Sequence, residues 1–531
     1  MKKILLNLLF ISITLLSFTS CSEELFNQKD PNRESSDTYW EKEEDFQQAL
    51  NAAYSQFRVP GYFSRWYHVL MISRSDEGWS ESPNPYFQAY SNFNISSYND
   101  DNAEGIIWPW QAIWRQIFYA NQIIDNIKLR GNKVFAGNES ARDKILAQAY
   151  AIRGTAYWYL AVTFGKGPLM LSSTEKGEVV DQLRIYEQSL SDYLEAEKGL
   201  PERWYGDDQG RITLGGAKGM AARVYMQLAG YYRRPNVNEP AKSQQALQNA
   251  KTKIEELLAL EYSLAAEYKW NFDREHENNA NPESIFEIQF NDGLFNGKEL
   301  GMQRPKFLGL VVEGAAWADA YPRKWLLDEF RKETDKEGNV DKRLDVTLFY
   351  EKPGDTVKYY GKTWAEWNQT EKYKLTQPCY WRKYTRVDDP GVTGEDYSCG
   401  INFRFLRLAD VYLMYAEVLN ELDQERTVAV EYINKVRRRA NMSDLNPANF
   451  TDKNTLAQQI MHERLVELCG EATRWFDLER WGYLHDQNKV NILAIERDIE
   501  FANFKIGVSS LFPIPNRELG LYPGLTQNPG Y

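Results

Sequence analysis

One stretch of the chain, residues 403–442, limits what it can fold into more than any other. It reads FRFLRLADVYLMYAEVLNELDQERTVAVEYINKVRRRANM. Its first part has apolar residues at helical spacing, namely Leu406, Ala409, Leu413, Ala416 and Leu419. Most of its other faces are apolar too, which predicts a helix buried on several sides. After a tight turn, a narrower apolar stripe predicts an outer helix that ends near Asn441, a residue suited to a left-handed C-cap.

Few charges interrupt the first of these helices: Arg404, Arg407, Asp410, Glu417 and Glu421. Because an unpaired charge is costly to bury, we expect these side chains to have partners of opposite charge. Small alanines that face bulky neighbours in a helix pair are typical of tetratricopeptide-like solenoids. The stretch therefore predicts a mostly α-helical fold.

Two separated segments resemble the SusD/RagB family, which are surface lipoproteins of Bacteroidetes that capture nutrients. The first is RFLRLADVYLMYAEVLNE followed by VEYINKVRRRANM, and the second is the final LFPIPNRELGLYPGLTQNPGY. The resemblance runs from the signal segment to Tyr531 and is strongest at residues 403–442, 455–482 and 511–531. It implies a SusD-like fold in which four tetratricopeptide-like helix pairs form a scaffold and a loop-rich, strand-poor region binds the ligand.

The beginning of the chain predicts export and lipid anchoring. Lys2 and Lys3 precede an apolar run, Ile4–Phe18, that is too short for a membrane span, so residues 1–20 are assigned as a lipoprotein signal peptide. Small residues before Cys21 resemble a lipobox, which makes Cys21 the expected lipidated residue and residues 21–36 a linker. An ordinary secretory peptide with a chance cysteine is the alternative.

The remaining residues, 37–531, are assigned to one SusD-like domain. The helical scaffold is expected at residues 37–58, 105–265 and 402–482. Variable, loop-rich regions are expected at residues 59–104 and 266–401, and an irregular C-terminal segment at 483–531. Individual helices are predicted at residues 37–57, 108–129, 139–164, 182–200, 213–232, 242–260, 322–332, 455–470 and 473–481.

Composition excludes several function classes. The formal net charge of −12 argues against nucleic acid, which requires a basic face. The four histidines form no HExxH pair and no CxxC occurs, so neither a zinc site nor another cofactor is predicted. Cys469 is expected to be a buried thiol, whereas Cys379 and Cys399 could be free or form a disulfide. Residues 335–341 alternate acidic and amide groups, which fits a solvated turn better than a calcium loop.

Aromatic residues are the remaining signal, at 14% of the chain. Tryptophans on helix patterns are expected to pack in the core, whereas rings in loops could stack on a sugar and neighbouring polar groups could take its hydroxyls. Candidate ligand-binding residues on this basis are Asp76, Trp79, Tyr86, Tyr90, Trp317, Trp364 and Trp367. Trp79 and Trp317 have small or acidic neighbours that leave an indole face open. Both irregular regions are expected to converge on one face.

The resemblance implies a surface-exposed outer-membrane lipoprotein that captures a glycan and passes it to a SusC-like TonB-dependent transporter. A peptide-binding, RagB-like protein is the second interpretation, because the same scaffold serves both. A surface glycoside hydrolase is the third and requires a carboxylate pair that the sequence does not mark. We therefore predict a binding protein that is not an enzyme.

Overall fold

The computed structural model describes residues 39–95, 103–295, 298–310, 317–352, 354–370, 375–385 and 399–531. The predicted signal peptide, the linker and Cys21 lie outside the described residues. Within the described part the fold is mostly helical, as predicted from the sequence. No helix of this part combines the length and the apolar character needed to cross a bilayer.

Most helices described in the first half lie close to predicted ones, whereas the second and third lie in region 59–104, which was predicted to be loop-rich. They are α1 (Glu43–Ser55), α2 (Trp66–Ser73), α3 (Pro85–Ser91), α4 (Glu104–Asn126), α5 (Glu139–Thr163), α6 (Gln182–Ala196), α7 (Leu214–Arg233) and α8 (Pro240–Leu258). A π-helical turn, Ile127–Gly131, and a helical turn, Asn132–Val134, extend α4. The Thr213 hydroxyl caps α7 by accepting a hydrogen bond from the Gly216 N–H at 3.1 Å.

In the second half the described helices before residue 408 have five or six residues, whereas the three between residues 408 and 468 have 14 to 16. They are α9 (Arg304–Leu308), α10 (Trp325–Phe330), α11 (Arg343–Thr347), α12 (Trp364–Asn368), α13 (Leu408–Glu421), α14 (Arg426–Arg439), α15 (Lys453–Leu468), α16 (Arg474–Arg480), α17 (Gln487–Glu496) and α18 (Asn516–Leu519).

Strands are short and pair only in twos within the described chain. They are β1 (Gly78–Trp79), β2 (Lys166–Pro168), β3 (Val179–Asp181), β4 (Ser284–Ile288), β5 (Leu294–Phe295), β6 (Lys298–Glu299), β7 (Tyr321–Pro322), β8 (Leu348–Tyr350), β9 (Cys379–Trp381) and β10 (Phe403–Arg407). The antiparallel pairs are β1–β7, β2–β3, β4–β10, β5–β6 and β8–β9.

Consecutive long helices pack side by side and build the scaffold. Helices α4 to α8 each pack on the next, α8 packs on α13, and α13 packs on α14 and α15. Helices α7 and α16 approach each other so closely that Gly230 of α7 has no room for a side chain. A Cβ atom at this position would lie 2.7 Å from the Cα of Arg480 on α16. This succession of packed helices is a tetratricopeptide-like arrangement.

The predicted helix that includes Leu406 begins later than expected. Phe403–Arg407 is strand β10, which pairs antiparallel with β4, and α13 starts at Leu408. Every residue of β10 is buried. A strand buried on both faces needs no regular polar alternation, and Arg404 and Arg407 are three residues apart, which is a helical spacing, so the segment can be read as helix. The prediction for the end of the helix pair is confirmed, since Asn441 has a φ of +66°.

Most of the described aromatic residues of the first irregular region lie in the core. The Phe405 ring of β10 lies 4.9 Å from Phe63, 5.9 Å from Tyr67 and 5.4 Å from Trp158, measured between centroids. Region 59–104 also contains α2, whose residues are all buried. Its aromatic residues pack there because β10 brings a complementary surface from a distant part of the sequence.

The charged residues of β10 and α13 are paired, as expected for this buried stretch. Asp410 accepts from Arg223 at 2.7 Å and from Arg464 at 2.9 Å. Glu417 pairs with Arg480 at 2.5 Å. The negative charge of each of these buried carboxylates is therefore balanced by an arginine.

The open questions on cysteine and calcium have structural answers among the described residues. Cys379, Cys399 and Cys469 are all buried free thiols. The Asp335 carboxylate accepts hydrogen bonds from the backbone N–H groups of Glu337 and Asn339 at 3.0 and 2.8 Å, which closes a turn. Asp341 is instead buried against Arg343, so residues 335–341 do not converge on one point.

Candidate functional site

A cleft of about 1170 Å³ opens where the two irregular regions meet, and we call it the Trp317 cleft. This volume exceeds that of many small-molecule pockets, which hold roughly 300–1,000 Å³. Its lining residues are Ser55, Gln56, Arg58, Val59, Pro60, Ser64, Arg65, Asn84, Glu104, Arg115, Leu300, Gln303, Lys306, Phe307 and Trp317. The lining thus comes from the end of α1 and the turn after it, from the first irregular region, from α4, and from α9 with its flanks.

Backbone contacts hold the two regions together at the cleft. The Ser64 hydroxyl donates to the Gly301 carbonyl at 3.2 Å, and the Gln303 N–H donates to the Ser64 carbonyl at 2.8 Å. On the opposite side, the Asn84 side chain caps α3 by accepting from the Tyr86 N–H at 3.0 Å. At these points the described backbone that borders the cleft is therefore held by hydrogen bonds.

Trp317 is the aromatic anchor of the cleft. Its indole is 50% exposed although it packs edge-on against Phe307, with 5.1 Å between ring centroids. Its backbone N–H donates to the Lys306 carbonyl at 2.7 Å, which ties it to α9. The Lys306 ammonium lies 4.7 Å from the centroid of the indole. Trp317 thus presents a fixed, half-open ring to the cleft.

Arg65 is a second ordered group in the wall. Its guanidinium carbon lies 3.9 Å from the Phe307 centroid and 4.6 Å from the Trp66 centroid, both within cation–π range. The Glu104 carboxylate lies 3.4 Å from the guanidinium. Burial lowers the pKa of Arg65, and this effect exceeds the opposing influence of Glu104 and Asp319. Arg65 therefore keeps one orientation beside the cleft.

The other half-exposed candidates from the sequence lie outside the cleft lining. Trp79 is in β1, with its ring 5.7 Å from Tyr321 and under the Arg323 guanidinium at 4.9 Å. Trp364 begins α12 and packs 5.1 Å from Phe349. Tyr86 is in the first turn of α3, two residues after the lining residue Asn84. Each of the three retains some exposed surface, and their ligand contacts stay predictions.

Asp76 has a structural position rather than the predicted ligand-facing one. Its carboxylate is fully buried and accepts from Arg474 at 2.8 and 2.9 Å and from Arg497 at 2.8 Å. Burial alone would raise the pKa of Asp76, but the two arginines lower it to about 2. Asp76 therefore links the first irregular region to the C-terminal part of the chain.

Tyr90 and Trp367 are also buried and do not face a ligand surface. Tyr90 is 0% exposed and packs edge-on against Trp66, with 5.8 Å between ring centroids. Trp367 is 3% exposed and donates its indole N–H to the Tyr359 carbonyl at 2.7 Å. Trp367 lies on α12, a segment predicted to be a loop, and a ring on a short amphipathic helix has a core side.

The basic lining residues are the part of the cleft that sequence reasoning missed. Arg58, Arg65, Arg115 and Lys306 belong to four separate segments. The chain has 63 lysine and arginine residues, so no local pattern distinguishes these four from the rest. Arg58 and Arg115 lie in the helical scaffold, Arg65 in the first irregular region and Lys306 in the second, so only tertiary contacts bring the four to one surface.

Comparison with known proteins gives consistent matches along the chain. The model of the SusD family matches residues 282–531. A second family model, described as "Starch-binding associating with outer membrane", matches residues 33–226. Together the two models cover both halves of the scaffold.

Individual relatives match over nearly their whole length. A SusD-like protein of Formosa agariphila is 22% identical over 555 aligned residues, which cover 100% of this chain and 100% of that protein. A SusD superfamily structure from Bacteroides vulgatus is 25% identical, with a TM-score of 0.76 over 93% of this chain and 100% of the other. A laminarin binding SusD-like protein is 23% identical, with a TM-score of 0.70 over 92% of this chain and 100% of the other.

Proposed function

Because this chain belongs to the SusD family, we propose that it binds a glycan at the cell surface and that the glycan lies in the Trp317 cleft. The observation that carries the proposal is the half-exposed Trp317 indole above a cleft of about 1170 Å³. A flat ring offers the C–H face of a sugar both dispersion and a negative quadrupole. The amides of Asn84 and Gln303, which also line the cleft, are of the type that orients sugar hydroxyls.

Relatives support a glycan as the class of ligand. One protein with this fold is a laminarin binding SusD-like protein, and the family description of residues 33–226 refers to starch binding. Laminarin and starch are different glucans, so we transfer only the ligand class to this chain.

We propose binding without cleavage. Glycoside hydrolases need two carboxyl groups about 5–10 Å apart across the scissile bond. Among the lining residues that the structure describes, Glu104 is the only carboxylate, and it lies 3.4 Å from Arg65. This arrangement favours a binding protein over an enzyme.

We further propose that residues 1–20 are removed, that Cys21 is acylated in the outer membrane, and that the captured glycan passes to a SusC-like TonB-dependent transporter. Family membership supports the transporter, and the matched family description names association with the outer membrane. The apolar run before Cys21 supports the anchor.

Changing Cys21→Ala should release the protein from membranes or leave it unprocessed, because the acylated cysteine is the proposed attachment point. The measurement is immunoblotting of outer-membrane and soluble fractions, together with the mass of the mature chain. Cys469→Ala, which alters a buried thiol, serves as control and should stay in the membrane fraction. A Cys21→Ala protein that fractionates with the outer membrane like wild type would contradict the anchor.

Changing Trp317→Ala should weaken glycan binding by about 2 kcal/mol or more, or about thirtyfold, because it removes a rigid stacking anchor. A glycan array would identify a ligand of the wild-type protein, and calorimetry would then compare the variants. Tyr205→Ala removes a 73% exposed ring outside the cleft and should leave the affinity unchanged.

Melting curves should agree for wild type and both variants, since Trp317 is half exposed. Unchanged affinity of Trp317→Ala would rule out the cleft as the site. A protein that bound members of a peptide library and no glycan would overturn the proposed function itself.

A further inference from the structure

The charge of the Trp317 cleft is opposite to that of the chain. The whole protein has a formal net charge of −12. The cleft lining, in contrast, has four cationic side chains, Arg58, Arg65, Arg115 and Lys306, and Glu104 is the single carboxylate among the lining residues that the structure describes. A cleft lined by one sign of charge concentrates ligands of the opposite sign.

Two described acidic groups at the cleft, Glu104 and Asp319, lie near Arg65. Glu104 forms its ion pair with Arg65 at 3.4 Å. Asp319, behind the wall, is buried and accepts from the Ser82 hydroxyl at 2.5 Å. Both carboxylates therefore lie near Arg65, and among the described residues neither forms an ion pair with Arg58 or Arg115.

Arg58 is the clearest uncompensated cation. It ends the 3₁₀ turn Gln56–Arg58 and is half-buried, and within the described chain its guanidinium has neither a hydrogen bond nor an ion pair. Arg58 also borders a smaller pocket of about 240 Å³, whose lining includes Asp207 and Glu287. Neither of these carboxylates forms an ion pair with Arg58. Burial lowers the pKa of Arg58, and no neighbouring acid opposes this effect.

Arg115 extends the same cationic surface along α4. Its side chain is exposed and contacts only the amide oxygen of Gln111, at 3.4 Å, among the described residues. A guanidinium is planar and binds carboxylate or sulfate oxygens through two parallel N–H groups. Arg58 and Arg115 thus provide two recognition groups for anions in a cleft that also contains an exposed indole.

We propose that the glycan bound in the Trp317 cleft is anionic and carries carboxylate or sulfate groups, which Arg58 and Arg115 recognise while Trp317 stacks on the sugar. This inference rests on the proposed function, because it names the class of glycan for the same cleft. A neutral glycan would leave the cation of Arg58 half-buried and unpaired in the complex, where it costs free energy.

The test compares glycans that differ in charge alone. Polygalacturonate is paired with its carboxyl-reduced form, carrageenan is paired with its desulfated form, and soluble starch and laminarin serve as neutral glucans. Binding is measured by affinity gel electrophoresis and calorimetry. The wild-type protein should bind at least one charged glycan about tenfold more tightly than the uncharged form of the same glycan. The pair that shows this difference separates carboxylate from sulfate. Affinity for the charged member should fall as salt is raised, because screening weakens ion pairing.

Arg58→Gln and Arg115→Gln should each weaken binding of the charged glycan by about tenfold, since each removes a charge-assisted hydrogen-bonding group. The charge-matched control is Arg184→Gln on α6. The Arg184 side chain is 58% exposed and lies outside the cleft, so this variant should bind the glycan like wild type. Arg115 is exposed, so its variant remains informative even if the change at half-buried Arg58 prevents folding.

The outcomes separate this inference from the proposed function. One possible outcome is that the wild-type protein binds neutral glycans as tightly as charged ones, that Trp317→Ala loses this binding, and that both arginine variants keep it. This outcome would overturn the proposal of an anionic ligand and would leave the proposed glycan binding intact. Binding of acidic peptides and of no glycan would overturn the proposed function and the inference with it. Binding to none of these probes would do the same.

Discussion

Replacing Arg407 by methionine should lower the free energy of unfolding by about 3–5 kcal/mol, which is the usual cost of removing one partner from a buried ion pair. The guanidinium of Arg407 is 1% exposed and lies among three buried carboxylates. It pairs with Glu283 at 2.8 Å, with Glu467 at 2.5 Å and with Glu471 at 2.7 Å. Methionine fills much of the volume but leaves these acids with less positive charge.

The remaining cations of the cluster cannot fully replace Arg407. Arg439 pairs with Glu283 and Glu467, and Lys383 pairs with Glu471 at 3.0 Å. Burial would raise the pKa of Glu467, but Arg439, Arg407 and Arg343 together lower it far below its usual value. Without Arg407, Glu467 and Glu471 must either stay charged in a dry site or take up a proton. Both alternatives destabilise the folded state relative to the unfolded one.

Thermal and urea unfolding, followed by tryptophan fluorescence and circular dichroism, would measure the effect of Arg407→Met. Arg438→Met is a matched control on α14, because Arg438 pairs with Glu431 and Asp444, both at 2.6 Å, but is 43% exposed. Exposed pairs contribute about 0–1 kcal/mol, so this variant should unfold almost like wild type. Equal unfolding midpoints for the two variants would show that burial of the charge cluster has no energetic consequence.

The long helices could be predicted from sequence because their information is local. Helix α5, for example, was expected at residues 139–164 and runs Glu139–Thr163. The same reasoning failed at Phe403–Arg407, where every side chain is apolar or becomes ion-paired. The partner strand β4 lies more than 100 residues earlier, at Ser284–Ile288. Spacing within a five-residue run has no information on such a non-local pairing.

The candidate site divides in the same way between local and tertiary information. Trp317 could be selected because small neighbours leave its ring open, and it does line the cleft. Asp76 is predicted as a ligand-binding group because it is a carboxylate near Trp79, but its carboxylate is buried against Arg474 and Arg497, which are about 400 residues away in the sequence. Arg58 and Arg115 have no distinguishing neighbours at all. Exposure of a ring can be inferred from its flanks, whereas the charge of a cleft depends on which segments meet.

The sequence predicts that the charged residues within 403–421 have partners of opposite charge, but it does not identify those partners. The rule that buried charges are compensated requires a partner for Arg407 and Asp410 without identifying it. The partners Glu467 and Arg464 lie on α15, and Arg223 lies on α7. They come within reach because α7 and α15 both pack near α13. Helix packing therefore determines which residues become the partners of these charges, which composition alone does not specify.

Replacing Leu413 by alanine should lower the free energy of unfolding by about 2–5 kcal/mol, the range for large-to-small changes in a packed core. Leu413 is 0% exposed, and its helix α13 is enclosed by α8, α14 and α15. Helices on three sides restrict collapse around the missing atoms, so the cost should lie toward the upper end of the range. Thermal and urea unfolding would measure it, with Leu413→Met as a volume-conserving control that should cost under about 1.5 kcal/mol. Leu129→Ala removes the same atoms from a 75% exposed position and should have little effect. If Leu413→Ala unfolded at the same midpoint as Leu129→Ala, α13 could not be the internal helix on which the scaffold packs.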